Sequence, residues 1–564
     1  MFNFFSNPDH LAACEQKRQD ILHKLTDYTP LYSKPLTDHD EEVLTYSLHE
    51  LVSECGTKQL SPSAVLEAYG KRCLAAHAAI NCLADLMFDE ALATYSPGGP
   101  LSGVPVSLKD CVDIEGHDTT LGYSCNANRP VSVSAPIVRL LQDAGALLHV
   151  KTTVPTGLLS FETASDLFGE TTNPYNPKFS PGGSTGGGAA LLAYRGSMIE
   201  IATDLGGSTR FPPAACGLYG MKASAGRFPS YGCGTSVPGL EVIQLTSPIA
   251  RSLDDLKEFW KRIIELRPWD YDHTCVSIPW RPVDFVLTGK PKWAVLWNDG
   301  LITPTPACTR ALQSAVQALK QRGYEVVDFD GPSAVEGLKI GYPLAFADGG
   351  VSLVAPLRSS ESINGAISLL VNISRLPLFI KNSVAAFMRW FSSPAGRNDV
   401  YADVLESIHP CTVSQERALI VRREEYRARW KKAMREQGID FVLTVPHALP
   451  PMPRGGSGVA TLISANYAFL YNVLDYAAGV VPVTFVDKDK DALPSNFQDT
   501  DMYRNLNDAE RAVWSLYDAS AMNGLPLAVQ VVGGRFEEEK VLEGMKVLEA
   551  ALRDTGRPFV QKEF

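Results

Sequence analysis

The stretch SPGGSTGGGA, residues 180–189, decides how the rest of this sequence is interpreted. It contains five glycines and three hydroxyl side chains, those of Ser180, Ser184 and Thr185. Stretches of this composition are typical of a phosphate-binding loop, of a nucleophile elbow, or of an ordinary loop that caps a helix. The sequence before and after the stretch distinguishes these three interpretations.

The first two interpretations each lack an essential neighbour. A Walker-type phosphate loop carries a lysine directly after its last glycine, but Ala189 follows Gly188 here. Gly182, Ser184 and Gly186 satisfy the G-x-S-x-G pattern of a nucleophile elbow. An elbow must directly follow a strand, however, and the preceding NPYNPKFSP contains three prolines, which a central strand would not carry. No downstream histidine stands in an obvious triad context either.

Two further segments weaken the interpretation as an ordinary loop. A second Gly-Ser turn, TDLGGSTRFP, occupies residues 203–212. GVPVSLKD, residues 103–110, alternates apolar and other side chains and predicts a strand that ends in polar residues at Lys109. A lone lysine after a strand is usually solvated, so Lys109 gains significance only together with the two turns.

Composition and charge limit the possible partners. The 564 residues are 45% hydrophobic and 20% charged, which allows a large buried core. The 52 basic and 63 acidic side chains give a net charge of −11, which disfavours nucleic acid as a partner. The eleven cysteines include no CxxC pair, so neither a disulfide framework nor a zinc site is indicated. Because the first twenty residues have no signal-peptide pattern and no long apolar run follows, we expect a cytoplasmic protein.

The order of the predicted elements indicates an α/β fold. APIVRLLQDAGALLHVKTTVP, residues 135–155, predicts a helix, a glycine stop and an apolar strand. Similar strands are predicted in KPKWAVLWND, YEVVDFD and GLPLAVQVVGG, and long helices over 413–437 and 538–553. We therefore expect a large mixed β-sheet core covered by helices on both faces. The expected single domain comprises a helical part over 1–80, a core over 90–300, a helical insert over 335–430 and a return to the core over 440–564.

Three motifs together resemble the amidase signature family of Ser-Ser-Lys hydrolases. They are GVPVSLKD around Lys109, SPGGSTGGGAAL around Ser184 and TDLGGSTRFPPAACGLYGMK around Ser208. Lys109 precedes Ser184 by 75 residues and Ser208 follows it by 24, an order and a spacing closely similar to those of the family. The similarity extends from about residue 50 to the C-terminus, and LKDCVDIEGHDTTLGY resembles the branch of fungal acetamidases and fatty acid amide hydrolase. Thr185 is a departure, because the family has a second serine there.

The resemblance implies a catalytic triad and a reaction. Ser208 is the expected nucleophile, Ser184 the expected proton relay and Lys109 the expected base. Lys109 must be uncharged to accept a proton, and burial in an apolar site lowers the pKa of a lysine in that direction. The family also implies a cis peptide bond between Gly183 and Ser184. No metal or organic cofactor is expected.

Further residues are expected around the triad. The backbone N–H groups expected to form the oxyanion hole are those of Leu205, Gly206, Gly207 and Ser208. Asp204 and Arg210 flank the nucleophile and are expected to form a structural pair, with solvated surface charges as the alternative. By the resemblance, the expected substrate-binding residues are Leu158, Leu159, Phe161 and Thr185. For Leu158, Leu159 and Phe161, packing in the hydrophobic core is the alternative role.

The segment 374–397 differs in charge from the acidic chain around it. It has four basic residues from Arg375 to Arg397 and no acidic one. On a helical wheel, Lys381 and Arg389 lie opposite an apolar face. That face comprises Leu376, Ile380, Val384, Phe387 and Phe391. Such a helix can lie on a membrane surface and make peripheral membrane contact. A lid over the substrate channel or a dimer face is the alternative that the sequence favours.

Together these patterns predict a serine amidase that converts carboxylic amides to an acid and an amine or ammonia. Small aliphatic, aryl or fatty acyl amides are the expected substrates, and esters and carbamates fit the same acyl-enzyme chemistry. One alternative is the glutaminase-type subunit of an amidotransferase, which the 335–430 segment and the surroundings of Lys109 disfavour. A catalytically silent scaffold is an alternative of another class, and the presence of all three triad residues disfavours it. The expected partner is a small-molecule amide substrate. The sequence does not decide whether the chain forms a homodimer.

Overall fold

The fold is organised around a mixed sheet of eleven strands. A computed structural model describes residues 8–240, 245–390, 397–460 and 462–564. The strands are β1 (Leu83–Leu86), β2 (Pro105–Lys109), β3 (Leu147–Thr152), β4 (Ala164–Ser165), β5 (Gly169–Glu170), β6 (Ile199–Asp204), β7 (Tyr219–Lys222), β8 (Leu245–Ala250), β9 (Trp293–Val295), β10 (Val326–Asp328), β11 (Phe441–Thr444), β12 (Ala478–Phe485) and β13 (Pro526–Val532). The strands β4 and β5 form a separate two-stranded sheet.

Helices precede, separate and follow these strands. They are α1 (Pro8–Tyr32), α2 (Asp38–Thr45), α3 (Leu48–Gly56), α4 (Pro62–Ile80), α5 (Phe88–Ala93), α6 (Pro136–Asp143), α7 (Gly186–Ala193), α8 (Phe211–Cys216), α9 (Leu253–Glu265), α10 (Phe285–Thr288), α11 (Pro306–Gln321), α12 (Ala334–Ala345), α13 (Val351–Val354), α14 (Gly365–Arg375), α15 (Leu378–Trp390), α16 (Arg397–Ser407), α17 (Val413–Glu436), α18 (Asn466–Val473), α19 (Asp501–Arg504), α20 (Asp508–Trp514) and α21 (Glu538–Asp554). Short 3-10 turns lie at Ser124–Asn126, Thr156–Leu158, Pro268–Asp270, Gly456–Gly458, Leu462–Ala465 and Phe497–Asp499. No described helix combines the length and the hydropathy that a membrane span requires.

The strand order places the predicted site elements side by side. It runs β1-β3-β2-β6-β8-β7-β12-β13-β11-β9-β10. The strand β2 is parallel to both β3 and β6, so its last residue, Lys109, lies beside Thr152 of β3. Each of the two Gly-Ser stretches directly precedes a helix, α7 in one case and α8 in the other. Both stretches can therefore reach the end of β2 that carries Lys109.

Helices cover both faces of the sheet, as the sequence predicts. Gly220 of β7 lies opposite Val480 of β12, so the neighbouring Gly479 points to the other face. A Cβ atom at Gly220 would contact Pro213 of α8, whereas one at Gly479 would overlap Met545 of α21. The apolar side chains of the sheet are buried between these two helical layers.

Local sequence signals explain several boundaries. Ser61 caps α4 by accepting a hydrogen bond from the backbone of Ala64, and Pro62 occupies the first turn. At the other end Asn81 adopts the left-handed conformation that terminates a helix. The strand predicted after Gly145 is β3, and the predicted terminal helix is α21, each within two residues of its expected bounds.

The amphipathic helix predicted within 374–397 is confirmed in part, as α15 over Leu378–Trp390. This helix begins later than predicted, because α14 ends at Arg375 and α15 begins only at Leu378. Leu376 precedes Pro377, and a residue before proline is disfavoured in the helical conformation. Leu376 is accordingly extended. Phe391, the last member of the predicted apolar face, lies outside the described residues.

The structure also orients α15 differently from a helix that buries its apolar side. Lys381 is buried, and its Nζ donates hydrogen bonds to the carbonyl oxygens of Ser374 and Ile408. Arg389 donates to the carboxylates of Asp403 and Glu406 on α16. The apolar side chains Phe379, Phe387 and Trp390 are instead 72%, 61% and 85% exposed. The basic residues therefore hold α15 onto the protein, and its apolar face is turned outwards.

Candidate active site

Lys109 lies at the centre of the site. It is the last residue of β2, and its side chain is completely buried. Its Nζ lies 2.8 Å from Ser184 Oγ and 2.9 Å from Thr203 Oγ1, and it also donates to the Thr203 carbonyl at 3.3 Å. The amine is thus fixed by contacts with neutral oxygen atoms.

The glycines around Ser184 serve mainly close packing. The Gly183–Ser184 peptide bond is cis, as the resemblance implies. Gly182 has a φ of +89°, a value that side-chain-bearing residues rarely adopt. Gly186, Gly187 and Gly188 are helical, and a Cβ atom on any of them would overlap a neighbouring residue. This triple glycine lets the first turn of α7 lie directly on the sheet, which brings Ser184 to Lys109.

Ser208 completes the group at the mouth of the site. It lies on the loop between β6 and α8 and is half-buried. Its Oγ lies 2.9 Å from Ser184 Oγ and accepts a hydrogen bond from the Ser184 backbone N–H at 3.1 Å. The structure therefore brings Lys109, Ser184 and Ser208 together as one continuous chain of hydrogen bonds.

The environment of Lys109 favours the uncharged amine. Burial lowers its pKa below the usual lysine value, and the nearby acidic groups Cys111, Asp204, Glu200 and Cys233 only partly oppose this effect. An uncharged amine can accept a proton, whereas an ammonium group cannot. The geometry and the electrostatics of the three residues are consequently those of a buried base that is connected through Ser184 to the half-buried Ser208 hydroxyl.

Asp204 and Arg210 form a buried ion pair beneath the Ser208 loop. Arg210 Nε donates to Asp204 Oδ2 at 3.0 Å, and Nη2 donates to Oδ1 at 2.9 Å. The remaining guanidinium contacts are with Ala468 O, Gln530 Oε1 and Asn472 Oδ1. Burial alone would raise the pKa of Asp204, but Arg210, the Asn472 amide and the charge of Lys222 hold it well below its usual range. The alternative of solvated surface charges is wrong, because both side chains are fully buried.

The backbone N–H groups expected to form the oxyanion hole are not all free to bind an oxyanion. The N–H of Gly207 donates to Asp204 Oδ1 at 2.8 Å, so the expectation that it binds an oxyanion is wrong for this structure. Within the described residues, the N–H groups of Leu205, Gly206 and Ser208 make no hydrogen bond. All three residues line the cavity in front of Ser208. The donor set therefore contains these three N–H groups, and Gly207 orders the loop instead.

A largely apolar cavity of about 60 Å³ opens in front of Ser208. The predicted residues Leu158, Leu159 and Phe161 all line it, but Thr185 does not. Thr185 is completely buried at the start of α7, which explains why its side chain cannot reach a substrate. Among the described residues that line the cavity, none is charged. The remaining apolar and aromatic lining comprises Leu205, Phe211, Val237, Tyr342, Ala345, Phe346, Ala465 and Phe469.

Several of these residues carry no recognisable signal in the sequence. Tyr342 and Phe346 come from α12 and the residue that follows it, and Phe469 comes from α18. They lie more than a hundred residues from Ser208, and only the tertiary structure brings them to it. Thr203, which holds the Lys109 amine, sits within the TDLGGS motif, and the register of β2 beside β6 would have identified it.

Metal-binding side chains are not gathered at the site. In the described ranges, no three His, Cys, Asp or Glu residues form a group that could hold a metal ion. Burial raises the pKa values of the Cys111 and Cys233 thiols, and a neutral thiol is a poor metal ligand.

Comparison with known proteins gives one consistent result. The family model described as Amidase matches residues 64–542. The chain is 32% identical to fatty-acid amide hydrolase 1 of Sus scrofa over 557 residues, which covers 97% of this chain and 93% of that protein. It is 30% identical to an acetamidase of Aspergillus oryzae over 535 residues, 91% of each chain. A solved fatty acid amide hydrolase structure superimposes with a TM-score of 0.82 at 26% identity and covers 96% of this chain and 95% of that one.

Proposed function

The chain belongs to the Amidase family and hydrolyses amide C–N bonds, and on that premise we propose that it does so through an acyl-enzyme on Ser208. The observation that carries the proposal is the chain of contacts from Lys109 Nζ through Ser184 Oγ to Ser208 Oγ, with steps of 2.8 and 2.9 Å. A serine hydroxyl is a poor nucleophile until a base removes its proton. The two contacts give that proton a direct route to a buried amine.

The first half of the reaction forms the acyl-enzyme. Ser208 Oγ attacks the amide carbon while its proton passes to Ser184 Oγ, and the Ser184 proton passes to Lys109 Nζ. The carbonyl oxygen becomes an oxyanion, and the free N–H groups of Leu205, Gly206 and Ser208 support its stabilisation. The proton then returns through Ser184 to the amide nitrogen, the C–N bond breaks and the amine leaves.

The second half repeats the same relay with water. A water molecule attacks the acyl carbon and gives its proton through Ser184 to Lys109. The ester bond to Ser208 then breaks, and Ser208 recovers its proton. The carboxylic acid leaves and the free enzyme is restored, so atoms and protons balance over the cycle.

The cavity favours compact apolar acyl groups. Its volume of about 60 Å³ is several times the space that one water molecule needs, but it is small for a long acyl chain. The aromatic rings of Phe161, Phe211, Phe346 and Phe469 offer contact surface for a short alkyl chain or an aryl ring. We therefore place short aliphatic and aryl amides before long-chain fatty amides as substrates, with matching esters and carbamates as further substrates.

The alternatives of the sequence analysis are less well supported. An amidotransferase subunit would act on glutamine, whose side-chain amide is attached to a charged amino acid. A cavity without charged lining residues offers no ion pair to that amino acid. A silent scaffold would have no need for a buried lysine of lowered pKa that contacts the Ser184 hydroxyl, which in turn contacts the Ser208 hydroxyl.

The proposal is tested by hydrolysis of acetamide, hexanamide, benzamide, an N-acylethanolamine and a carbamate. The wild-type protein is expected to turn over hexanamide or benzamide fastest. Ser208→Ala should lower kcat for every substrate by on the order of 10⁴-fold, because no other group forms the covalent intermediate. A fluorophosphonate should inactivate the wild-type protein by labelling Ser208.

Other outcomes would count against the acyl-enzyme. Retention of full activity by Ser208→Ala, or a fluorophosphonate adduct on another residue, would remove Ser208 from its role. Absence of both hydrolysis and labelling would favour the scaffold. Activity that requires a co-purified subunit and is restricted to glutamine would favour the amidotransferase.

The outward-facing side chains of α15 favour contact with a lipid surface. We define this apolar surface as Phe379, Phe387 and Trp390. Trp390 and the phenylalanines suit the interface between headgroups and acyl chains. Because Arg389 is paired with Asp403 and Glu406, the attraction would come from apolar area and not from basic charge.

Vesicle sedimentation measures this contact. The wild-type protein is expected to co-sediment with phosphatidylcholine vesicles, and Phe379→Asp/Trp390→Asp should lower the bound fraction at least about fivefold. Val286 and Leu287, which are 91% and 84% exposed on α10, provide the matched control. Changing both of those residues to Asp should leave vesicle binding unchanged. Added salt should not weaken binding.

A different result would reassign the surface. Equal vesicle binding by Phe379→Asp/Trp390→Asp and the wild-type protein would exclude α15 as the lipid contact. A wild-type dimer in light scattering that this variant dissociates would assign the surface to a second copy of the chain.

A further inference from the structure

Glu200 is a buried carboxyl group that the proposed reaction does not use. It lies on β6 directly opposite Ser107 of β2 and is completely buried. Its Oε2 accepts a hydrogen bond from Ser107 Oγ, and its Oε1 accepts one from Thr152 Oγ1 at 2.7 Å. Neither partner carries a charge, so an ionised Glu200 would have no neutralising contact among these partners.

The same face of the sheet carries Lys109. Side chains two residues apart on a strand point to the same side, so Ser107 and Lys109 share a face of β2. Thr152 lies opposite Lys109 in the register of β2 with β3. The carboxyl group of Glu200 thus contacts one residue on the strand of Lys109 and the cross-strand neighbour of Lys109.

The first turn of α7 confines this carboxyl group. A Cβ atom at Gly188 would overlap the Glu200 carboxyl group, so the helix backbone covers it directly. This helix begins two residues after Ser184 and contributes only Gly, Ala and Leu side chains. The backbone of α7 therefore confines the Glu200 carboxyl group close to the relay and prevents it from moving towards the helix.

We propose that Glu200 is a positioning residue for the relay, whose carboxyl group controls the charge that Lys109 can carry. The inference rests on the proposed function, in which Lys109 must gain and lose a proton in each half-reaction. An anion at Glu200 stabilises the ammonium form of Lys109, and a neutral carboxyl group favours the amine. The two groups titrate as a coupled pair and not independently.

The other titratable groups near Lys109 do not change charge near neutral pH. Burial raises the pKa values of the Cys111 and Cys233 thiols, which keeps both neutral. Asp204 stays ionised, and its charge is matched by Arg210. Burial raises the pKa of Glu200 to about 7, although Ser107, Thr152 and the charge of Lys109 oppose the rise. Burial also raises the pKa of the Cys82 thiol, and the charge of Glu200 adds to this rise, so Cys82 stays neutral. Among these neighbours of Lys109, Glu200 is thus the group whose charge changes near neutral pH.

Glu200→Gln tests the inference through the pH dependence of kcat/KM. In the wild-type protein kcat/KM falls as the pH drops, because Lys109 becomes protonated. The glutamine keeps the size of the side chain but removes the anion, so the ammonium form of Lys109 loses support. We expect the acid limb of the profile to move to lower pH by about one unit. The pH dependence of fluorophosphonate inactivation should move by the same amount.

Ser107→Ala provides a second variant that spares the carboxyl group. Loss of the Ser107 hydroxyl makes Glu200 harder to ionise, so the acid limb should move in the same direction by a smaller amount. The double variant Ser107→Ala/Glu200→Gln should show no shift beyond that of Glu200→Gln alone. If Glu200→Gln does not fold, the shift of Ser107→Ala decides the question.

Glu538→Gln is the matched control. Glu538 is also buried, but it accepts a hydrogen bond from the Ser224 backbone and lies near Arg227, away from Lys109. Its replacement should lower thermal stability and leave the acid limb in place. An unchanged or upward-shifted limb in folded Glu200→Gln, while Lys109→Met is inactive, would overturn the role of Glu200 alone. Full activity of Lys109→Met would overturn the proposed relay itself.

Discussion

Replacement of Lys109 by methionine is expected to lower kcat/KM for amides by at least about three orders of magnitude. Lys109 Nζ lies 2.8 Å from Ser184 Oγ, and without this amine the Ser208 proton has no base at the end of the relay. Methionine is flexible and apolar and fills a similar volume, so the buried site loses the base and keeps its packing. The measurements are kcat/KM with hexanamide and the thermal midpoint of unfolding.

Lys222→Met is the control for loss of a buried lysine. Lys222 is also completely buried, and burial lowers its pKa to about 8. Its Nζ donates to the carbonyl oxygen of Ala223 at 2.7 Å, outside the relay. We expect Lys222→Met to stay within about tenfold of wild-type kcat/KM. A Lys109→Met variant that retains more than about a tenth of wild-type activity would exclude the lysine base.

The relay residues could be predicted from the sequence because they sit in short, spaced motifs. Lys109 ends a strand with a clear alternating pattern, and Ser184 and Ser208 each lie in a Gly-Ser turn. Each motif specifies its own local conformation, including the first turns of α7 and α8. The resemblance to the amidase signature family then supplied the association between the motifs that local patterns could not supply.

The groups that support the relay were less accessible to prediction. Glu200 and Thr203 are recognisable only when β6 is known to lie beside β2, and the strand order depends on crossovers through helices. The donor set for the oxyanion was predicted from four consecutive N–H groups. The side chain of Asp204 turns back onto Gly207 and removes one of them, which the linear sequence does not reveal.

The helix α15 illustrates a different limit of prediction from sequence. A helical wheel divides α15 into an apolar and a basic side, but it cannot say which side meets the protein. The acidic partners Asp403 and Glu406 lie on α16, and they draw Arg389 inwards. Lys381 is also turned inwards, because two backbone carbonyl oxygens accept hydrogen bonds from its Nζ. Partners distant in the sequence thus determined the orientation of the helix.

Asp204→Asn is expected to lower the free energy of unfolding by about 3–5 kcal/mol and also to reduce activity. The carboxylate accepts hydrogen bonds from the backbone of Gly207 and Thr209, from the Thr209 hydroxyl, from Arg210 and from Asn472. Asparagine has a similar shape but no charge, so the buried guanidinium loses its counter-ion. The loop that carries Ser208 loses its central acceptor at the same time.

The measurement is denaturant unfolding at pH 7 together with kcat/KM. Asp270→Asn serves as the control, because the Arg267–Asp270 pair is exposed and should contribute no more than about 0.5 kcal/mol. Kinetically, Asp204→Asn should lower kcat more than it raises KM, because a displaced Ser208 loop impairs the transition state before it impairs binding. Wild-type stability in Asp204→Asn would mean that the buried pair does not hold the loop.

A double variant separates the effect of leaving the Arg210 charge unpaired from the effect of losing the loop contacts. Asp204→Asn/Arg210→Met removes both charges, so it should recover part of the lost stability but not the activity. The pH dependence of stability gives an independent check. Because the folded-state pKa of Asp204 lies well below its usual range, its stabilisation is complete above about pH 4 and is lost only as the pH falls further. Loss of activity just below neutral pH would therefore arise from the coupled pair Lys109 and Glu200 and not from Asp204.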